Sequence, residues 1–256
     1  MLSLVLPYAR CVARTRLDQL VVELGLAPTR SRAQALVLAG VVLVDGTRVD
    51  KAGTLIAEGA DVTLRGEALP YVSRGGVKLA GALDAFGVDP RARRCLDVGA
   101  STGGFTDCLL QRGADHVVAV DVGYGQLAHK LRIDPRVTVL ERTNARTLTV
   151  DLIGGAVDLT VVDASFIGLE KLVSAIHACT RPGGELVALI KPQFEVGREE
   201  ASRTKGVVRD EAVRATAIAD AVDCVRGAGF TIVAQADCVI AGPKGNREAF
   251  VHARCA

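Results

Sequence analysis

The first part of the chain, residues 14–65, carries two helical patterns followed by two extended ones. Hydrophobic residues recur every three or four positions over 17–24 and again over 33–39, and a glycine closes each stretch, which predicts two short helices. VVLVDG (41–46) and DVTLR (61–65) predict strands, the first of which ends in an Asp-Gly turn. These four elements predict a small, independent α/β domain.

Beyond this segment, buried strands alternate with helices. Residues 66–73 are interpreted as a linker because Gly66 and Pro70 interrupt regular structure, and a helix is predicted over 76–86. The runs VVAV and VALI are hydrophobic at every position, as parallel strands covered on both faces are. The predicted strands are RRCLDVG, HVVAVDVG, RVTVLE, VDLTVVDAS, ELVALIKP, FTIVAQADCV and EAFVHARC. They predict an α/β fold in which residues 74–256 form a seven-stranded, doubly wound sheet.

Composition narrows the class of protein. Hydrophobic residues make up 49% and charged residues 23% of the 256, as in an ordinary folded domain, and the net charge of +2 excludes a strongly basic nucleic-acid-binding surface over the whole chain. No hydrophobic run approaches the roughly 18 residues that span a bilayer. Residues 1–13 lack a basic first segment and a cleavage site, so they are interpreted as an N-terminal extension rather than a signal peptide.

The cysteines indicate a reducing compartment. There are seven, an odd number, and no two of them form a CxxC pair. This pattern argues against a disulfide framework and against a zinc site, so we expect a cytoplasmic protein without a metal.

The segment CLDVGASTGGFTDCLL (95–110) is the most distinctive local feature. A strand is predicted to end at Asp97, a glycine-rich turn follows, and a helix is predicted to begin near Phe105. The spacing is not G-x-G-x-x-G, which counts against a dinucleotide. Asp121 ends the next strand, where a carboxylate suits the two hydroxyls of a ribose. Asp-x-Gly-x-x-x-Gly followed by such an acid is the arrangement of S-adenosylmethionine methyltransferases.

Each part of this arrangement has a purely structural alternative. The glycine turn could only pack a helix on a strand, Asp121 could be a solvated strand end, and Asn144, expected near the adenine or ribose, could be an ordinary turn residue. Together the glycine turn and the acid favour a cofactor site. The expected cofactor contacts are Asp97, Gly99, Ser101, Thr102, Gly103, Phe105, Asp121, Asn144 and Asp163.

Two further residues, Asp163 and Lys191, follow predicted strands and therefore belong to the same carboxyl edge of the sheet. Lys78 on the preceding helix and Glu248 at the last strand could converge on the same cleft. A lysine that is partly desolvated beside another cation can accept a proton from a hydroxyl. The alternative is a pair of surface salt bridges, and for Lys78 and Glu248 the pattern alone does not decide.

Several stretches resemble the TlyA (hemolysin A-like) family of ribosomal RNA 2′-O-methyltransferases, over nearly the whole chain from about Arg14. They are RLDQLVVELGLA, YVSRGGVKL, DVGASTGGFTD, DVGYGQLAHKLR, ERTNAR, VVDASFI, KPQFEVG, KGVVRD and GPKGNREAF. The resemblance implies an S4-type RNA-binding domain (14–65) joined to a class I (Rossmann-like) methyltransferase domain (74–256). It also implies S-adenosyl-L-methionine as methyl donor and a cytidine ribose in ribosomal RNA as acceptor.

The family carries a Lys-Asp-Lys-Glu tetrad similar to that of the FtsJ heat-shock methyltransferases. By resemblance, the tetrad falls on Lys78, Asp163, Lys191 and Glu248. Lys191 is expected to deprotonate the 2′-hydroxyl, Asp163 to orient Lys191 and the donor, and the other two to position the ribose. The family name also suggests a pore-forming toxin. The sequence has neither a transmembrane helix nor a basic amphipathic one, so no membrane partner is expected.

RNA binding is expected from four arginines near the start, Arg14, Arg16, Arg30 and Arg32. Residues 1–32 hold five Arg against two acids, whereas residues 33–70 hold three basic residues against five acidic ones. Because cations supply most sequence-independent RNA affinity, this surface is thin. Aromatic residues make up only 4%, and the candidates for stacking on a flipped base are Phe105, Tyr124, Phe166 and Phe194.

Two other functions remain open at this point. The scaffold could serve secondary metabolism and methylate carbon 3 of an indole, or it could be a noncatalytic ribosome-assembly factor. Residues 195–210, charged and glycine-bearing, are a candidate lid over the acceptor or else a solvated connection.

Overall fold

The computed structural model describes residues 14–57, 59–65, 70–197, 206–242 and 245–256. The chain divides into two compact units, residues 1–68 and 69–256. The predicted extension 1–13 lies outside the described residues, as do residues 66–69 of the predicted linker. Within the described ranges, no helix has the length and hydropathy needed to cross a membrane.

The smaller unit packs two helices against short strands. Helix α1 spans Leu17–Glu23 and α2 spans Arg30–Leu38, which begins three residues before the predicted start because Thr29 caps it by accepting a bond from Arg32 N. The strands are β1 (Arg14–Arg16), β2 (Val42–Val44), β3 (Thr47–Arg48), β4 (Leu55–Ala57) and β5 (Val62–Leu64). The two predicted strands, β2 and β5, pair antiparallel, and β1 pairs with β4. The buried core joins both helices to β2, β4 and β5 through Leu17, Val21, Ala33, Val37, Val42, Ile56 and Val62.

The larger unit contains the seven predicted strands in one sheet, with the order β11-β12-β10-β9-β6-β7-β8. Strands β6 to β10 run parallel to one another, whereas β12 is antiparallel to both β10 and β11. The bounds are β6 (Arg94–Val98), β7 (His116–Val120), β8 (Val137–Leu140), β9 (Val157–Val162), β10 (Thr180–Ile190), β11 (Phe230–Asp237) and β12 (Ala249–Cys255). The seven-stranded, doubly wound fold predicted from the sequence is confirmed.

Helices cover both faces of this sheet. They are α3 (Arg74–Phe86), α4 (Gly104–Gln111), α5 (His129–Arg132), α6 (Val173–Cys179), α7 (Pro192–Glu195) and α8 (Glu211–Gly227). Neighbouring residues of one strand enter different cores: Cys95 packs with Leu79 of α3, and Leu96 packs with Ile176 of α6. This explains why the central strands are hydrophobic at every position.

The chain enters the larger unit through residues 70–73, which belonged to the predicted linker. Val72 N donates to Asp107 Oδ2 at 2.8 Å, and the Tyr71 ring lies against Gly76, where a Cβ would come within 2.3 Å of it. These contacts hold the start of α3 against α4. The helix predicted from residue 76 accordingly begins two residues earlier, at Arg74.

Strand β6 lies at the point where the strand order reverses, between β7 on one side and β9 on the other. Doubly wound sheets open a crevice at the carboxyl ends of the strands at such a point. The segments that follow β6, β7, β9 and β10 therefore surround one crevice.

Candidate active site

The turn between β6 and α4 requires glycine. Gly99 has φ +88°, and a Cβ there would lie 2.9 Å from the carbonyl oxygen of Asp163. Gly103 has φ +95°, and a Cβ there would lie 2.3 Å from Leu131 Cδ1. Both positions are in the left-handed region and both are crowded, so a side chain would displace the turn. The turn is thereby held between β9 and α5.

Asp121 holds this turn from the neighbouring strand. Its Oδ2 accepts a hydrogen bond from Ser101 N at 2.8 Å, and its Oδ1 accepts one from Gly123 N at 2.7 Å. Each carboxylate oxygen keeps further lone-pair capacity, so Asp121 can still accept from two hydroxyls of a ligand.

Two adjoining cavities lie around the turn. The larger, of about 700 Å³, is lined by Asp121, Asn144 and the segment 163–167. The smaller, of about 270 Å³, is lined by Lys78, Lys191 and the N-terminal ends of α3 and α4. The residues common to both walls are Gly99, Ser101, Asp163 and Ser165. A ligand in the larger cavity can therefore present one end to the smaller.

The expected cofactor residues divide between the two walls and the interior. Gly99, Ser101, Asp121, Asn144 and Asp163 line the larger cavity. Thr102 and Phe105 line the smaller one, although Phe105 is mostly buried against Phe250. Asn144 also has the turn role considered above, because its Oδ1 accepts a bond from Arg146 N at 3.1 Å. Asp97 and Gly103 are on neither wall: Gly103 is part of the turn itself, and Asp97 is buried beneath it.

Asp97 is fully buried beneath the turn. Thr106 Oγ1 donates to its Oδ2 at 2.6 Å, while its Oδ1 has no hydrogen-bond partner among the described residues. Burial raises the pKa of the Asp97 carboxyl to about 7, against the opposing effect of the bond from Thr106.

The stability of the wild-type chain is expected to depend on pH through Asp97. Because the pKa is raised in the folded state, protonation of Asp97 contributes to the stability of the fold. This contribution is complete below about pH 4, the pKa in the unfolded chain, and is lost as the pH rises through about 7. From pH 6 to pH 8, the wild-type chain should lose about 1 kcal/mol of unfolding free energy relative to Asp97→Asn, as measured by urea denaturation. Burial also raises the pKa of Glu195 to about 7, but Glu195 is present in both proteins and cancels. Parallel pH profiles would contradict the protonation of Asp97.

The four residues of the expected tetrad form two ion pairs. Lys191 Nζ lies 2.5 Å from Asp163 Oδ1, and Lys78 Nζ lies 2.5 Å from Glu248 Oε2. Both lysines are buried at the smaller cavity. Glu248 is 1% exposed and stands behind Lys78 rather than on the cavity wall. These two pairs are therefore not the surface salt bridges considered as an alternative.

The sequence analysis did not identify two polar residues that contact the tetrad. Ser165 Oγ accepts a bond from Lys191 Nζ at 2.7 Å, and Gln193 Nε2 donates to Glu248 Oε1 at 3.4 Å. Both stand within motifs already singled out, VVDASF and KPQFE, but a serine and a glutamine carry no signal of their own there. Their contacts fix Lys191 from a second side and hold Glu248 toward Lys78.

The candidate aromatic residues differ in exposure. Phe166 is 91% exposed and packs on Phe194, with ring centroids 5.1 Å apart, next to Ser165 and Lys191. Tyr124 is also exposed and stacks under the guanidinium of Arg142 at 4.2 Å. Phe105 belongs to the core. Residues 198–205 of the candidate lid lie outside the described residues, so the lid stays a prediction.

The arginines expected to bind RNA belong to the smaller unit. Arg14, Arg30 and Arg32 are exposed and Arg16 is half-buried. Arg16 and Arg30 both contact Asp18, which the sequence analysis counted only as an opposing charge. In the described ranges, no group of three or more His, Cys, Asp or Glu is placed to hold a metal ion.

Comparison with known proteins places this geometry in a family. Residues 71–255 match the FtsJ-like methyltransferase family and residues 15–62 match the S4 domain. The 16S/23S rRNA (cytidine-2′-O)-methyltransferase TlyA of Mycobacterium tuberculosis is 47% identical over 242 residues, which cover 94% of this chain and 90% of that protein.

The chain belongs to the TlyA family of FtsJ-like methyltransferases.

Further relatives agree with this membership. The 23S rRNA (cytidine-2′-O)-methyltransferase TlyA of Campylobacter jejuni is 33% identical over 77% of this chain and 76% of its own length. The solved structure of a candidate hemolysin from Streptococcus thermophilus is 39% identical, with a TM-score of 0.75 over 96% of this chain and 90% of that one.

This TlyA-family chain is therefore an S-adenosylmethionine-dependent methyltransferase. The residues present fit that cofactor. The glycine turn allows close approach of a ligand to backbone, Asp121 can accept from a ribose, and the larger cavity opens at Asp163 onto the buried lysines.

Proposed function

We propose that this protein transfers a methyl group from S-adenosylmethionine to the 2′-hydroxyl of a cytidine ribose in ribosomal RNA. The observation that carries the proposal is the meeting of the two cavities at Asp163 and Ser165, where Lys191 Nζ contacts both side chains. Lys191 Nζ, a group that can accept the proton of an acceptor hydroxyl, therefore lies where one end of a methyl donor in the larger cavity would lie. The TlyA proteins of M. tuberculosis and C. jejuni, named as cytidine-2′-O-methyltransferases, support this choice of acceptor.

When bound, S-adenosylmethionine would supply an electrophilic methyl group on a sulfonium centre and would leave as S-adenosylhomocysteine. Lys191 Nζ, as a neutral amine, would accept the proton of the 2′-hydroxyl whose oxygen forms the new bond to the methyl carbon. Asp163, 2.5 Å from Lys191 Nζ, stabilises the ammonium that forms, and Ser165 Oγ keeps that nitrogen aimed at the junction of the cavities.

Lys78 positions the target ribose from the opposite side of the smaller cavity. Its ammonium donates to Glu248, and Gln193 holds that carboxylate in turn. Gly242 leaves the room this arrangement needs, since a Cβ there would lie 2.2 Å from Glu248 Oε1. With donor and acceptor both fixed, proximity supplies much of the rate acceleration.

Binding of RNA is assigned to the arginines of the S4-type unit, Arg14, Arg16, Arg30 and Arg32, and to exposed groups at the cavity mouths. Arg146 lines the larger cavity and is suited to a backbone phosphate. The exposed Phe166 ring, beside the reacting groups, is suited to stacking on the base of an extruded cytidine.

We assign the activity to the cytoplasm, where ribosomal subunits are. The proposed domain boundaries are 14–65 and 74–256, and residues 70–73 of the predicted linker pack against the second domain.

The test is a methyl-transfer assay with labelled S-adenosylmethionine and the full chain. We expect label in the RNA of 30S or 50S subunits, and digestion to nucleosides should place it in 2′-O-methylcytidine. Tryptophan-derived indoles are assayed in parallel, because methylation of indole carbon 3 was the alternative open from sequence; the relatives give it no support. Label confined to the indoles, or to a nucleobase, would overturn the proposal.

A further inference from the structure

Asp18 is a fully buried carboxylate in the smaller unit, at the start of α1. It accepts hydrogen bonds from three side chains, one on β1 and two on α2. Arg16 of β1 donates through Nε to Oδ1 at 3.0 Å and through Nη2 to Oδ2 at 3.1 Å. Arg30, the first residue of α2, donates through Nε to Oδ2 at 2.9 Å, and Gln34 donates to the same oxygen at 2.9 Å.

This arrangement keeps the carboxylate ionised. The hydrogen bond from Arg16, reinforced by Gln34 and Arg30, holds the pKa of Asp18 well below its usual range in spite of its burial. A buried charge is tolerated only when its partners are as complete as these. Two guanidinium groups and one carboxylate leave a net charge of one positive unit at this place.

The two guanidinium groups remain accessible. The side chains of Arg16 and Arg30 are 42% and 50% exposed, although the carboxylate they share is buried. The bonds to Asp18 use Nε and Nη2 of Arg16 and Nε of Arg30, so Arg16 Nη1 and both terminal nitrogens of Arg30 are not engaged by that carboxylate. Planar guanidinium groups fixed in this way match the geometry of a phosphate.

We propose that Asp18 is a positioning residue that holds Arg16 and Arg30 as one rigid fork for a backbone phosphate of RNA. The inference rests on the proposed function, since it assumes that RNA is the ligand of this unit. An arginine side chain that is free in solution loses rotamer entropy when it is ordered, which weakens binding. The buried carboxylate imposes that order before RNA arrives, and such preorganisation increases affinity.

In the first test, charge alone and positioning predict opposite changes in RNA affinity. Asp18→Asn removes a negative charge, so electrostatics without positioning predicts tighter RNA binding. Positioning predicts weaker binding, with the Kd for purified 30S and 50S subunits raised about tenfold in a filter-binding assay, a loss of about 1.4 kcal/mol. The KM for RNA should rise similarly while kcat at saturating RNA stays unchanged. Equal or tighter binding by the folded variant would overturn the proposal.

The second test covers the case in which Asp18→Asn fails to fold. Arg16→Lys keeps the charge and leaves Asp18 bonded to Arg30 and Gln34, but a lysine cannot form the two-point contact. We expect a Kd about fivefold higher with an unchanged dependence on salt, because the number of cations is the same. The matched control is Arg65→Lys, which alters an exposed arginine of the same unit whose described bond is made by its backbone, and which should bind within twofold of wild type.

These outcomes separate the two proposals. Similar binding by Arg16→Lys and Arg65→Lys would overturn the role of Asp18 even if the wild-type chain methylates ribosomal RNA. Absence of methyl transfer to RNA by the wild-type chain would overturn the proposed function, whereas binding to the subunits is measured without catalysis.

Discussion

Replacing Lys191 with methionine is expected to lower kcat for methyl transfer about 10³-fold, the range in which removal of a general base acts. Lys191 Nζ is the group placed to take the proton of the acceptor hydroxyl, because it lies between Asp163 and Ser165 at the junction of the two cavities. Methionine retains the length of the side chain but cannot accept a proton. The measurement is single-turnover transfer of labelled methyl to ribosomal subunits.

The affinity for S-adenosylmethionine should change less than threefold in this variant, as measured by calorimetry. Lys130→Met is a suitable control, since it removes an exposed lysine that pairs with Asp107 and lines neither cavity. It should keep activity within twofold. If Lys191→Met lost donor binding or its thermal transition together with transfer, Lys191 would be a structural residue and the assignment of the base would fail.

Replacing Asp121 with alanine is expected to raise the Kd for S-adenosylmethionine about 100-fold. Two hydrogen bonds to a charged acceptor contribute about 1.5 kcal/mol each, and a loss of about 3 kcal/mol corresponds to that factor. The variant also removes the acceptors of Ser101 N and Gly123 N, so the turn that lines both cavities is no longer held.

Calorimetric titration with S-adenosylmethionine measures this effect directly. Asp115→Ala is the matched control, because Asp115 is an exposed acid just before the same strand and distant from its carboxyl end. Its Kd should equal that of the wild-type chain. A Kd for Asp121→Ala within threefold of wild type would mean that Asp121 only supports the turn.

The larger unit could be predicted closely because its central strands are covered on both faces. Runs such as VVAV and VALI are hydrophobic at every position and visible without knowledge of their partners, and all seven predicted runs became strands. The same reasoning did not find β1, β3 or β4, which have only two or three residues each. A strand so short has no measurable alternation. β1 and β4 form by pairing with each other from opposite ends of the unit's sequence, and β3 forms by pairing with β2 across the Asp45-Gly46 turn.

The individual site residues varied in how far the sequence could place them. Asp121, Asp163 and Lys191 follow strands of a recognisable sheet, so their position at one edge was implied by the fold class alone. Asp97 follows the same rule of position, but its side chain points into the interior, where burial raises its pKa. Whether a strand-end side chain faces the crevice or the core depends on the turn that follows it.

The sequence by itself determined the order of the elements, the glycine turn and the residues at the carboxyl edge, because each depends on local pattern and on a general property of doubly wound sheets. Only the tertiary structure decided the pairing of Lys78 with Glu248, 170 positions apart, and the meeting of Arg16, Arg30 and Gln34 on Asp18. Such contacts leave no periodic signal, since they arise when packing brings separate elements together and a buried charge must find its partners there.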